Sequence, residues 1–161
     1  MLKLSSDIKM VISDFDGVFT DGSLYITEKN EVSKKLNFKD IMGVYILLQK
    51  GYKFGIISGE DSNILNYFRE NLGIEEIFGG IRQKDIVLQD IMKRHNLKSN
   101  EILYIGDDIN DICAMELVDY PIAPLNYNPI LKMKVNKLQI TSAAGGSGAI
   151  REICDILCGL E

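Results

Sequence analysis

The chain has 161 residues, of which 46% are hydrophobic and 25% charged, with a formal net charge of −5. These values fit one globular unit spanning residues 1–161 with its own core, and they exclude a disordered chain. An acidic chain without a dense Lys/Arg block is expected to bind neither nucleic acid nor an anionic membrane. No run of 18 apolar residues predicts a membrane span. Met1 to Met10 lacks the long apolar stretch of a secretory leader, so a cytoplasmic location is expected.

Cys113, Cys154 and Cys158 are odd in number and at no metal spacing, and they read as buried thiols in a reducing compartment. The lone His95 rules out a histidine-rich metal site and reads as a solvated helix terminus.

In chain order, Ile8–Phe15 is a short apolar run that ends in acid. Ser23–Thr27 and Val32–Phe38 alternate across a polar link and predict a β-hairpin. Ile41–Gln49 predicts a helix ended by Gly51. Tyr52–Ser58 predicts a buried strand, and Ile64, Leu65, Phe68 and Leu72 follow at helical spacing up to Gly73. Ile77–Phe78 reads as a short strand. Val87, Leu88, Ile91 and Met92 mark a helix that Lys84 opens. Glu101–Gly106 is a third strong strand, followed by a helix from about Asp111 to Val118. Pro121–Ala123 and Leu138–Ile140 predict further strands, and Gly148–Leu157 a last helix. Tyr127–Leu131 admits either helix or loop. The alternation predicts an α/β fold with a Rossmann-like, doubly wound, mainly parallel sheet. Ligands of such sheets bind beyond the carboxyl ends of the strands.

The polar residues at those ends are the candidate chemistry. Asp14-Phe15-Asp16-Gly17 places two acids where Gly17 allows a turn, although a solvated loop has the same pattern. Ser58-Gly59 is either a turn or a hydroxyl for a phosphate oxygen. Lys84 stands at a helix start, where a cation is unfavourable unless another group demands it; a surface lysine is the other reading. In Gly106-Asp107-Asp108-Ile109-Asn110-Asp111, three carboxylates within five residues suit either a Mg²⁺ ion or an acidic helix start.

The order of these motifs resembles the haloacid dehalogenase superfamily of phosphohydrolases. Asp14–Gly22 (DFDGVFTDG), Lys35–Gly43 (KLNFKDIMG) and Gly145–Glu152 (GGSGAIRE) narrow the resemblance. They are similar to the family that dephosphorylates acidic ulosonate sugars, 3-deoxy-D-manno-octulosonate 8-phosphate and nonulosonate 9-phosphates, including the phosphatase domains fused to acylneuraminate cytidylyltransferases.

The resemblance implies that Asp14 attacks phosphorus and that Asp16 acts as general acid and then general base. It implies Mg²⁺ held by Asp14, the Asp16 backbone carbonyl and Asp107, and Ser58 and Lys84 clamping the transferring group. Gly59 and Glu60 would face the substrate. Asp108 would orient Lys84 or the neighbouring loop, and Asp111 would act behind the metal ligands.

The stretches between Asp16 and Ser58 and between Ser58 and Lys84 are too short for a cap domain, so only the hairpin flap is expected. The resembling family is tetrameric, which implies a homotetramer whose neighbours close the site. The Gly145–Gly148 stretch would approach a neighbouring subunit's site or form a flexible loop.

Glu60 is either an acidic helix start or resembles the nonulosonate branch, since the octulosonate phosphatases that this chain resembles generally carry Arg there. The family also commonly has Arg near Phe68, which here reads as core, and Asp-Gly at Asp40-Ile41. Arg82 and Arg151 are the candidates to replace that arginine's contact to the substrate carboxylate, although no motif places either one. Two other classes fit parts of the pattern. One is a receiver-type signalling domain, in which, however, the Lys follows the acidic pairs. The other is a silent relative serving as an oligomerisation module.

Overall fold

The computed structural model describes residues 2–160; Met1 and Glu161, the two ends of the expected unit, lie outside the described residues. Six strands form one sheet: β1 (Met10–Ser13), β4 (Lys53–Ile57), β5 (Glu76–Phe78), β6 (Ile102–Ile105), β7 (Tyr120–Ala123) and β8 (Gln139–Ile140). Between β1 and β4 lie β2 (Tyr25–Ile26) and β3 (Val32–Ser33), paired as an antiparallel hairpin. The sheet order is β5-β4-β1-β6-β7-β8, and every pairing in it is parallel. This is a doubly wound sheet whose strand order reverses between β1 and β6, the point at which such folds bind ligands.

The central strands β1 and β6 are buried on both faces, so side-chain alternation divides the core in two. Val11, Ile56, Leu103 and Ile105 face α1 (Phe38–Gln49), α2 (Ile64–Leu72) and α6 (Ala149–Cys158). Met10, Ile12, Ile57, Ile102 and Tyr104 face α3 (Lys84–His95) and α4 (Ile112–Met115). Phe68 is core, as its spacing predicts, and packs edge-on against Phe19 with ring centroids 4.9 Å apart.

Helix boundaries follow local chemistry. Asn37 caps α1 by accepting from the Lys39 N–H, so the helix starts three residues before the expected Ile41. Gly73 closes α2 in the left-handed conformation at φ 67°. The helix expected over Asp111–Val118 is shorter. A 3-10 turn covers Ile109–Asp111, α4 ends at Met115, and backbone bonding from Leu117 and Val118 reaches back only three residues. The segment read as helix or loop, Tyr127–Leu131, is non-helical as far as Pro129 and enters α5 (Ile130–Lys134) only at its end; within α5 only Leu131 is buried.

Two other expectations need correction. Cys113 is exposed, because α4 turns Ala114 and Met115 inward instead; Cys154 is buried and Cys158 half-buried. His95 ends α3 but is not simply solvated: its Nε2 lies 2.7 Å from Glu76 and its Nδ1 2.6 Å from Lys53 Nζ.

The connection from β1 to β4 holds only the hairpin and α1, and that from β4 to α3 holds only α2 and β5, so no cap domain is inserted at either place. Among the described residues no helix is long and apolar enough to cross a membrane.

Candidate active site

The acids converge where the strand order reverses. Asp14 follows β1, and its N–H continues the sheet ladder to the Ile105 carbonyl at 2.9 Å. Gly17, at φ 82°, turns the chain after Asp16. A Cβ on Gly17 would fall 2.0 Å from Asp107 Oδ2, so only glycine lets the loop after β6 close against the loop after β1. A pocket of about 330 Å³ opens there, with Asp14, Asp16, Gly59, Glu60, Asp107 and Asn110 in its wall.

Lys84 enters from behind this pocket. It is the first residue of α3 and 1% exposed, and its Nζ lies 2.8 Å from both Asp14 Oδ1 and Asp111 Oδ1. Burial disfavours the ammonium, but the two carboxylates outweigh burial and hold its pKa above the ordinary value. The cation at a helix start is therefore demanded by buried acids.

Asp111 is saturated by protein donors. Its Oδ1 accepts from Lys84 and from the Tyr104 hydroxyl at 2.8 Å each, and its Oδ2 from the Asp107 and Asp108 N–H groups at 3.1 and 3.4 Å. Asp108 does not reach Lys84. Its carboxylate accepts from Asn128 Nδ2 at 2.8 Å, and the Asn128 N–H bonds the Asp107 carbonyl at 2.8 Å. Asp108 thus serves the loop, and the lysine-holding role belongs to Asp111.

Ligand atoms of Asp14, Asp107 and Asp111 lie within 4.8 Å of one another. Burial, then the charges of Asp111 and Asp108, push the Asp107 carboxyl up to about 7. Burial and Asp111 likewise raise Asp14 well above its ordinary value. Acids crowded in this way fit a hard divalent cation. With Asp111 occupied, Asp14 and Asp107 are the carboxylates left to meet it.

Ser58 is buried, with its hydroxyl accepting from the Glu60 N–H at 3.2 Å; Gly59 and Glu60 form the adjoining wall. Neither arginine considered for a substrate carboxylate lines the pocket. Arg151 Nε is paired with Asp155 at 2.7 Å, and Arg82 lines a separate groove with Ile81 and Ile86.

The glycine-rich tail docks within its own chain. A Cβ on Gly145 would lie 1.8 Å from the Gly17 carbonyl oxygen, and the Gly146 N–H bonds the Val18 carbonyl at 2.9 Å. Gly145 N–H also donates to Asn126 Oδ1 at 2.8 Å. Asp40, buried in α1, accepts from the Gly148 and Arg151 N–H groups at 3.1 and 2.8 Å and so caps α6. The tail is therefore a packed brace on the Asp14 loop and not a flexible loop.

Two residues escaped the sequence reading. Tyr104 looks like one more strand hydrophobe. Lys34, beside the exposed hairpin, reaches Asp16 Oδ2 at 2.8 Å and Glu60 Oε2 at 2.5 Å. Nothing local in the sequence marks either one: the partners of Lys34 lie after β1 and β4, and Tyr104 meets Asp111 only because the chain turns back after β6.

Fold and site together define a phosphohydrolase. Residues 23–117 match the family of haloacid dehalogenase-like hydrolases. The chain belongs to that family, and it is a phosphoric monoester hydrolase within it. It is 31% identical over 153 residues to the 3-deoxy-D-manno-octulosonate 8-phosphate phosphatase of Escherichia coli, an alignment covering 95% of this chain and 80% of the relative. The corresponding phosphatase of Moraxella catarrhalis, solved with a magnesium ion, a phosphate ion and KDO, superposes with a TM-score of 0.88 at 28% identity, covering 97% of this chain and 88% of that one. The cobalt-bound deoxy-D-mannose-octulosonate 8-phosphate phosphatase of Haemophilus influenzae gives 0.87 at 32% identity, covering 96% and 89%.

Proposed function

We propose that the enzyme hydrolyses the phosphate monoester of an acidic ulosonate sugar, either 3-deoxy-D-manno-octulosonate 8-phosphate or a nonulosonate 9-phosphate, through an aspartyl-phosphate on Asp14. The observation that carries this reading is Asp14 at the sheet's reversal point, bonded to Lys84 and facing Asp107 across a pocket. The relatives named above act on the octulosonate ester. Glu60 on the wall favours the nonulosonate alternative, because a carboxylate accepts hydrogen bonds from additional sugar hydroxyls.

In the proposed chemistry a carboxylate oxygen of Asp14 attacks phosphorus and the bond from phosphorus to the sugar oxygen breaks. Asp16 gives its proton to that oxygen, and the sugar leaves as an alcohol. Asp16, now ionised, takes a proton from water as the water oxygen attacks phosphorus. The bond to Asp14 breaks, which frees phosphate and restores both side chains. Lys84, fixed by Asp111, offsets negative charge beside Asp14, and Ser58 with the Gly59 backbone holds phosphoryl oxygens. Mg²⁺ is the cofactor; Asp14, Asp107 and the Asp16 backbone carbonyl would hold it, and when bound it neutralises phosphoryl charge.

The exposed apolar side chains Leu24, Tyr25, Ile26 and Val32 of the hairpin arm, with Phe38 at the start of α1, support a homotetramer whose neighbouring subunits close the pocket. The deciding experiment is phosphate release from octulosonate 8-phosphate, a nonulosonate 9-phosphate, glucose 6-phosphate and p-nitrophenyl phosphate, with Mg²⁺ and with EDTA. Turnover of an ulosonate ester that needs both Mg²⁺ and Asp14 is expected. No turnover of any of them by folded protein overturns the reading in favour of a silent module.

A further inference from the structure

We propose that Lys34 is a positioning residue for Asp16, holding one carboxylate oxygen so that the other carries the proton exchanged with the substrate. The inference deepens the phosphatase reading above and rests on it.

The observation is a buried cation where the sequence gives no reason for one. Lys34 follows β3, whose residues are exposed, and its neighbours Ser33 and Lys35 face solvent. Its own side chain is 3% exposed. Ordering and burying a lysine costs side-chain entropy and desolvation, so its end must be well partnered. Here Nζ donates to Asp16 Oδ2 at 2.8 Å and to Glu60 Oε2 at 2.5 Å, and lies 5.7 Å from the centre of the Phe15 ring. One ammonium thus joins three segments: the hairpin arm, the loop after β1 and the loop after β4.

Asp16 needs this support. Its carboxylate is 35% exposed, and among the described residues its side chain has, apart from Lys34, only a long contact, from the Thr20 hydroxyl to Oδ1 at 3.5 Å. A general acid must stay within hydrogen-bond reach of the leaving oxygen, and small misplacements are costly. With Oδ2 pinned by Lys34, Oδ1 is the oxygen available for proton transfer. Glu60 completes the arrangement, because the residue facing the sugar and the residue protonating the leaving oxygen share one cation.

The test compares two leaving groups. Alkoxide departure from a sugar phosphate needs a proton from Asp16, whereas p-nitrophenolate leaves without one. The ratio kcat/KM reports on the steps up to that departure. For Lys34→Met, kcat/KM with the wild type's ulosonate substrate is expected to fall about 10–100-fold, and with p-nitrophenyl phosphate less than about threefold. Lys34→Arg, which keeps the cation, should recover much of the loss. The Mg²⁺-induced rise in Tm should persist in both variants, because Asp14 and Asp107 are untouched. Equal losses on the two substrates, no loss on either, or disappearance of the Mg²⁺ effect would overturn the assignment. A wild type inactive on every ester would instead overturn the phosphatase reading beneath it.

Discussion

The Tyr104 hydroxyl donates to Asp111 Oδ1 at 2.8 Å, and neither side chain is reached by solvent. Asp111 is thereby fixed from the sheet side while it holds Lys84 from the helix side. Tyr104→Phe removes one buried hydrogen bond and is expected to cost about 1–2 kcal/mol by denaturant unfolding, with activity reduced only slightly. Asp111→Asn removes half of the charge compensation of a buried lysine. About 3–5 kcal/mol of stability and at least tenfold in kcat should be lost. Equal effects of the two variants would refute this ordering.

Asp14→Asn keeps the shape of the site and removes the attacking carboxylate. Steady-state phosphate release should fall more than about a thousandfold. The variant should still bind phosphate with Mg²⁺, as seen by a rise in Tm.

Proton linkage gives a third expectation. Asp107 in the ion-free protein titrates near 7, against about 4 for an unfolded aspartate. Between these values the folded state binds more protons, so ion-free stability should decline as pH rises from about 4 to 7 and then level off. Mg²⁺ must displace that proton, so its affinity should weaken by up to about tenfold per pH unit below 7. Calorimetric titrations at pH 6 and pH 8 in two buffers would measure both the affinity and the protons released. A pH-independent affinity would refute the assignment of Asp107.

A methyl group at Gly145 has nowhere to go, because the Gly17 carbonyl and the Thr20 backbone lie where it would stand. Gly145→Ala should lower stability by about 1–3 kcal/mol and reduce kcat with it. Gly51→Ala serves as the comparison. Its Cβ would meet open space, and its cost should come only from a φ of 87°.

The assembly expectation is tested at the hairpin. Replacing Tyr25 and Ile26, both exposed, with Ser should leave the fold intact and lower the mass seen by light scattering. An unchanged mass would remove the hairpin from the subunit contacts.

Much of the fold was legible because its signals are local. Apolar runs ending in Asp14, Ser58 and Asp107 mark strands and their carboxyl ends, and Gly73 stops a helix by its own conformation. The weaker elements lacked such signals. α5 buries only Leu131 and so has no periodic face, and α4 is shorter than its apolar spacing implies. In the site, acids could be read from spacing, but their division of labour could not. Asp108 and Asp111 look alike in the sequence. Only the turn that aims one at Asn128 and the other at Lys84 distinguishes them. Lys34 is hidden for the same reason, one lysine in an exposed arm with both partners beyond local reach.

The docking of Gly145 and Gly146 on the Gly17–Asp21 loop also fixes an order of events during synthesis. The loop bearing Asp14 and Asp16 leaves a ribosome well before the segment that braces it. A nascent chain, or one clipped ahead of Gly145, carries these acids with nothing behind them. Completion of the site thus waits for the Gly145–Gly146 segment to be made, and contacts so distant in sequence make its closure a late step of folding.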